Sequence, residues 1–190
     1  MIRRDRVDDR ALTPFDAASA PPGLGVTAGL RRSRGLMTVL YRVQGGGCLR
    51  IPAPADVPQR ADRLWEHTCL EAFLAPAGGP GYWELDLSPS GDWNLYRFAG
   101  YRDGMEVERR VPSLTGFRAG REGDGLRVEA TLDLGAVPEL AGDLDVGLAA
   151  VLEAADGTTS YWGLLHVAAQ PDFHRRESFV VALRHAEERA

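Results

Sequence analysis

Glu71, Glu84 and Asp86 fall at alternate positions of two short segments, with His67 just ahead of the first. If those segments pair as a hairpin, three carboxylates and an imidazole share one surface. Adjacent like charges destabilise a sheet, so such a group needs a compensating partner or open solvent. Arg97, on the segment that follows, is one candidate partner; a cation or a hydroxyl-rich ligand is another. Carboxylates accept hydrogen bonds from hydroxyls, and Asn94 or Arg97 would donate them. Two facing carboxylates are also the equipment of glycoside hydrolysis, so a hydrolase using the Glu/Asp cluster is an alternative. A solvated sheet face beside arginines is the plainer one.

Aromatic residues crowd the same region: Trp65, Trp83, Trp93, Tyr96 and Tyr101, with Trp162 further on. Trp83 is in phase with Leu85 and Leu87, which predicts a core position. Trp65 and Trp93 lie beside turns, where exposed rings would offer flat apolar surface to a ligand. His67 and Cys69 are two apart on one strand face and invite a nucleophile–base reading, but no third orienting group is evident. No Cys-x-x-Cys, His-x-x-x-His or Asp-rich calcium loop is present, so no metal is expected from spacing. The stretch Pro171-Asp172-Phe173-His174 reads as a turn with an aromatic anchor. It follows a strand whose in-phase residues are Trp162, Leu164 and His166, which makes it a candidate rim of a site.

The elements that must position these residues are strands. Period-two alternation runs through Gly35 to Gln44, His67 to Leu74, Tyr82 to Ser88, Leu126 to Leu134 and Leu144 to Leu152. Turn chemistry separates them: Ala77-Gly78-Gly79-Pro80, Pro89-Ser90-Gly91-Asp92, Arg102-Asp103-Gly104 and Asp156-Gly157. Residues 135–141 suit one helical turn. Short strands without long amphipathic helices point to an all-β antiparallel sandwich, jelly-roll-like. Residues 1–22, charged and then rich in Ala and Pro, read as an arm. Residues 23–184 form one ligand-binding domain, and 185–190 a tail.

The chain has 190 residues, enough for a single domain with a sizeable core. Its net charge is −5, which argues against nucleic acid and anionic membrane as partners. All basic residues are arginine, which carries no functional reading. No apolar run is long enough to span a bilayer, and none follows the charged Met1 to Arg10, so no secretory leader is expected. Two cysteines make no disulfide framework. Cytoplasmic residence is the expectation.

Three blocks together are more specific than any one of them. They are Leu64-Trp65-Glu66-His67-Thr68-Cys69-Leu70-Glu71-Ala72-Phe73-Leu74; Trp83 through Phe98; and Ser160-Tyr161-Trp162-Gly163-Leu164-Leu165-His166 followed by Pro171-Asp172-Phe173-His174. In this order they resemble the bacterial DOMON-like domains related to family 9 carbohydrate-binding modules, over roughly residues 20–184. The resemblance implies a sandwich whose concave sheet holds a ligand, either sugar or haem. For a sugar it implies that Glu71 to Leu74 and the Glu84/Asp86 strand build the binding face; with the residues read above, the candidate non-catalytic site comprises Trp65, His67, Glu71, Glu84, Asp86, Trp93, Asn94, Tyr96, Arg97, Trp162, His166 and His174. For haem it implies axial ligands from Met37, Met105, His67, His166 and His174. The expected partner is thus a small molecule, most simply a carbohydrate, with no cofactor in the first reading and haem in the alternative.

Overall fold

A computed structural model describes residues 9–185 of the chain. Twelve strands dominate it. They are β1 (Arg10–Pro14), β2 (Gly25–Ser33), β3 (Leu36–Gln44), β4 (Cys69–Pro76), β5 (Tyr82–Leu87) and β6 (Trp93–Phe98), then β7 (Glu106–Val107), β8 (Gly116–Glu122), β9 (Gly125–Asp133), β10 (Leu144–Glu153), β11 (Thr159–Gly163) and β12 (Val181–Leu183). The five strands anticipated from alternation all form, with ends displaced by at most a few residues. The expected helical turn at 135–141 is realised as two short 3-10 turns, Leu134–Ala136 and Pro138–Leu140. Among the described residues, no helix is long and apolar enough to cross a membrane.

The strands form two antiparallel sheets. One runs β7-β6-β5-β4-β10-β11, with β12 beside the start of β10; the other runs β1-β2-β3-β9-β8. The corner between them is β1. Its Arg10 to Leu12 pair with β2, while Thr13 and Pro14 pair with Gly163 and Trp162 of β11. The segment expected to be an arm therefore contributes a strand that joins the sheets. Residues 1–8 of that arm, and 186–190 of the expected tail, lie outside the described residues.

Alternation decides what each sheet buries. On β4, Leu70, Ala72 and Leu74 point into the sandwich; on β5, Trp83, Leu85 and Leu87; on β10, the even positions from Leu144 to Leu152. They meet Val26, Ala28, Met37, Val39, Tyr41, Val43 and the even apolar positions of β9 from the other sheet. Trp83 is the core residue expected from its phase. The other face of the β4–β5–β6 sheet is also covered, and its smaller apolar cluster includes Phe73, Tyr82, Tyr96, Phe98, Ala149 and Phe179. Consequently β4 and β5 are buried on both faces along nearly their whole length.

Candidate functional site

The outer face of the β4–β5–β6 sheet receives the odd residues of β4 and the even residues of β5 and β6. Register places Glu71 opposite Asp86, Phe73 opposite Glu84, Glu84 opposite Tyr96 and Asp86 opposite Asn94. The hairpin that would gather the three carboxylates therefore forms. All three are buried, at 3%, 4% and 0% exposure for Glu71, Glu84 and Asp86. A solvated polar face is thus overturned as the reading of this surface. Burial disfavours the ionised form. It pushes the Glu84 carboxyl up to about 7 against a partial opposing pull from Arg102. It also pushes Glu71 and Asp86 well up, with neighbouring carboxylates adding to the effect.

Over Glu71 and Glu84 opens a cavity of about 340 Å³. Its walls are aromatic: Trp65, Phe98, Tyr161 and Phe173, with Met105, Val151 and Pro171. Arg102 and His174 complete its polar lining. Trp65 comes from the short turn Leu64–Glu66 ahead of β4, and its ring meets the edge of Tyr96 at 5.7 Å. His174 is fixed by several contacts. Its Nδ1 shares a 2.8 Å hydrogen bond with the Tyr82 hydroxyl, and its ring stands edge-on to Phe73 and Phe98 at 5.2 Å. Its Nε2 lies 3.9 Å from Glu84 Oε1. Burial first, then Arg102, hold the imidazole down at about 4, so at neutral pH it is uncharged.

The loop before β7 and the loop after β11 are tied together at the rim. Asp172 accepts hydrogen bonds from Tyr101 Oη at 2.6 Å, Arg102 Nη2 at 3.1 Å, Arg175 Nε at 3.1 Å and the His174 amide at 3.2 Å. Arg175 also covers the Tyr101 ring at 4.4 Å. Arg102 adopts φ 51°, a conformation side chains rarely take, and its amide donates to Tyr82 Oη. The expected rim at Pro171-Asp172-Phe173-His174 is therefore present, and its anchor is a carboxylate hub as well as an aromatic ring.

Of the twelve candidate site residues, Trp65, Glu71, Glu84 and His174 line the cavity. Asp86 sits on the same face, one register further along β5, beside Cys69 and Glu71. Tyr96 and Asn94 also share the face, but their polar groups are spent internally. Asn94 Nδ2 donates to Asp62 Oδ1 and to Tyr96 Oη, its Oδ1 accepts from Arg60, and Tyr96 Oη donates to Asp62. Others are in the wrong phase. Trp93 and Trp162 face the core between the sheets, Trp93 under the Arg60 guanidinium at 4.1 Å and Trp162 donating to Ser160 Oγ. Arg97 is in register with Trp83 and pairs with Glu106, so it does not balance the carboxylates. His67 pairs with Glu153 at 2.9 Å and His166 with the Thr13 carbonyl at 2.9 Å, both away from the cavity.

Arg102, Tyr161 and Phe98 are cavity residues that the sequence did not single out as site residues, whereas Phe173 was expected at the rim. Tyr161 is the instructive case. It is next to Trp162, and choosing the larger ring chose the wrong face of β11.

Two chemical alternatives meet unfavourable geometry. Cys69 is fully buried, and burial followed by Asp86 and Glu71 pushes its thiol well up, so it is not poised as a nucleophile for His67. For haem, Met37 is sealed between the sheets. Met105 and His174 line one cavity, but His174 already has Tyr82 on Nδ1 and Glu84 before Nε2, and two buried carboxylates form the floor. That floor does not suit an apolar macrocycle, and the residues do not fit the group.

No family model matches the chain, and no curated protein resembles it significantly in sequence. Its fold, however, recurs among solved structures. A putative carbohydrate-binding protein from Bacteroides uniformis superposes with a TM-score of 0.69 at 14% identity, over 94% of this chain and 86% of that one. A family 9 carbohydrate-binding module from Caldicellulosiruptor kristjanssonii, determined with cellotriose, gives a TM-score of 0.54 at 13% identity over 94% and 82%. The chain therefore shares the β-sandwich fold of these proteins.

Proposed function

We propose that this protein binds a carbohydrate, without cleaving it, in the cavity over Glu71 and Glu84. The observation that carries the reading is the pairing of aromatic walls with a small set of buried polar groups in one concave site. Trp65, Tyr161, Phe98 and Phe173 offer ring faces and edges to the apolar side of a pyranose. Glu71 and Glu84 accept hydroxyl hydrogens, and a protonated Glu84 also donates one. Arg102, held by Asp172, is a fixed donor at the rim. That the fold is shared with carbohydrate-binding proteins adds support, and a cellotriose-bound relative makes glucose polymers the first class to try.

The chemistry argues for recognition over hydrolysis. A glycosidase needs an ionised carboxylate as nucleophile or base facing a protonated acid. Here burial raises both cavity carboxylates, and the cation that acts on both, Arg102, offsets this only in part. Thermal-shift screening against mono- and oligosaccharides tests the proposal. A rise in melting temperature with one sugar class, absent in Glu84→Ala, is expected. No shift with any sugar, or a shift retained by Glu84→Ala, would remove the cavity as a sugar site.

A further inference from the structure

Beside the cavity lies a second feature, which shares Glu71 with it and adds Cys69 and Asp86. Cys69 Sγ, a Glu71 carboxylate oxygen and an Asp86 carboxylate oxygen all lie within 4.8 Å of one another, and all three residues are buried. Both Asp86 oxygens lack any hydrogen-bond partner and are shut off from solvent. Buried polar groups are almost always satisfied, and an isolated buried carboxylate is among the costliest exceptions. Glu71 and Glu84, the charged groups that act most strongly on Asp86, are themselves acidic, and Asn94 opposite it is fully engaged elsewhere.

We propose that Cys69, Glu71 and Asp86 form a binding site for a thiophilic divalent cation, of which zinc is the fitting example. The donors come from two adjacent strands, Glu71 in register with Asp86 and Cys69 two residues along β4, which is why no local spacing motif announces them. The sulfur argues against calcium and magnesium, which take all-oxygen shells. Zinc accepts mixed sulfur and oxygen donors with four ligands in total. Three protein donors leave one position for a further ligand, and Glu71 is the donor that also lines the cavity. Binding would expel the thiol proton and any proton held on the carboxylates to solvent, so uptake is favoured as pH rises. This proposal does not depend on sugar binding, and its test needs no sugar.

Chelator-treated protein titrated with cobalt(II) provides that test, because a thiolate–cobalt bond gives a near-ultraviolet charge-transfer band that carboxylates alone do not. The expected result is saturation at a single equivalent, with the band retained in Cys48→Ala and absent in Cys69→Ser. Asp86→Asn should weaken binding by more than about tenfold, the scale lost even when only an outer partner of a metal ligand is removed. Zinc should raise the melting temperature of the native chain and not that of Asp86→Asn. Asp86→Asn removes a buried charge and is expected to fold, so this readout stands if Cys69→Ser does not. No band in the native chain would overturn the site, as would a band that survives Cys69→Ser or disappears in Cys48→Ala. Equal zinc stabilisation of the native chain and Asp86→Asn would overturn it too, leaving shared protons as what neutralises the cluster.

Discussion

Glu84 links the chemistry of the site to the stability of the fold. Its carboxyl titrates at about 7 when folded, against an ordinary value of 4.5. Between those values the folded chain holds a proton that the unfolded chain has released, so stability is lost as pH rises through the folded value. Glu71 and Asp86 act in the same direction. His174 opposes them: held at about 4 against 6.5, it contributes stability above 6.5 that is lost as pH falls through about 4. Urea denaturation of Glu84→Gln across this range should show a shallower loss of stability with rising pH than the native chain. An identical slope would mean that Glu84 ionises freely. Asp86→Asn should stabilise the metal-free protein, most strongly at higher pH, by roughly 1 kcal/mol or more, since it removes an unpaired buried charge. Trp83→Ala should cost about 3–5 kcal/mol as a core truncation, and more because Glu108 Oε2 loses the 3.0 Å bond it accepts from Trp83 Nε1. Denaturation showing under about 1 kcal/mol of loss would contradict the core assignment of this ring.

At the scale of elements, phase is what the sequence carried and what it concealed. Alternation along β4 and β5 was legible because apolar and acidic residues take turns there, and it correctly brought Glu71, Glu84 and Asp86 to one face. On β6 both faces are largely buried, and on β11 the exposed position is itself an aromatic, Tyr161, so Trp93, Tyr96, Tyr161 and Trp162 give no polar contrast to read. The ring expected to be exposed from its proximity to a turn is then as easily the core ring. Arg102 and the Asp172 hub were illegible for another reason: loops distant in sequence meet only once β11 has been laid beside β10. Likewise β1 lies in a stretch that starts charged and ends rich in Ala and Pro, and only pairing with both sheets makes it a strand. A local test of the second sheet is Gly125→Ala at the start of β9. A Cβ there would sit 2.0 Å from the Val43 carbonyl oxygen, so the end of the β3–β9 pairing must move, at a cost of about 1–3 kcal/mol. Gly79→Ala, where nothing lies within 4 Å, should be close to neutral and serves as the control. Equal melting temperatures for the two variants would contradict the register of that pairing.

Across the whole molecule, one sheet serves two environments. Its inner face closes the apolar core, and its outer face carries carboxylates under an aromatic-walled cavity. Removing a cavity carboxylate should leave the sandwich standing, because the apolar core between the sheets does not include it. Isothermal titration calorimetry with glucose and short glucose oligosaccharides, on the native chain and on Glu84→Ala, tests the account most directly. It predicts saturable binding to the native chain and none to Glu84→Ala, with the two proteins unfolding at comparable temperatures. Heat of binding that Glu84→Ala retains in full would contradict it, because the ligand would then sit somewhere other than the cavity over Glu71 and Glu84.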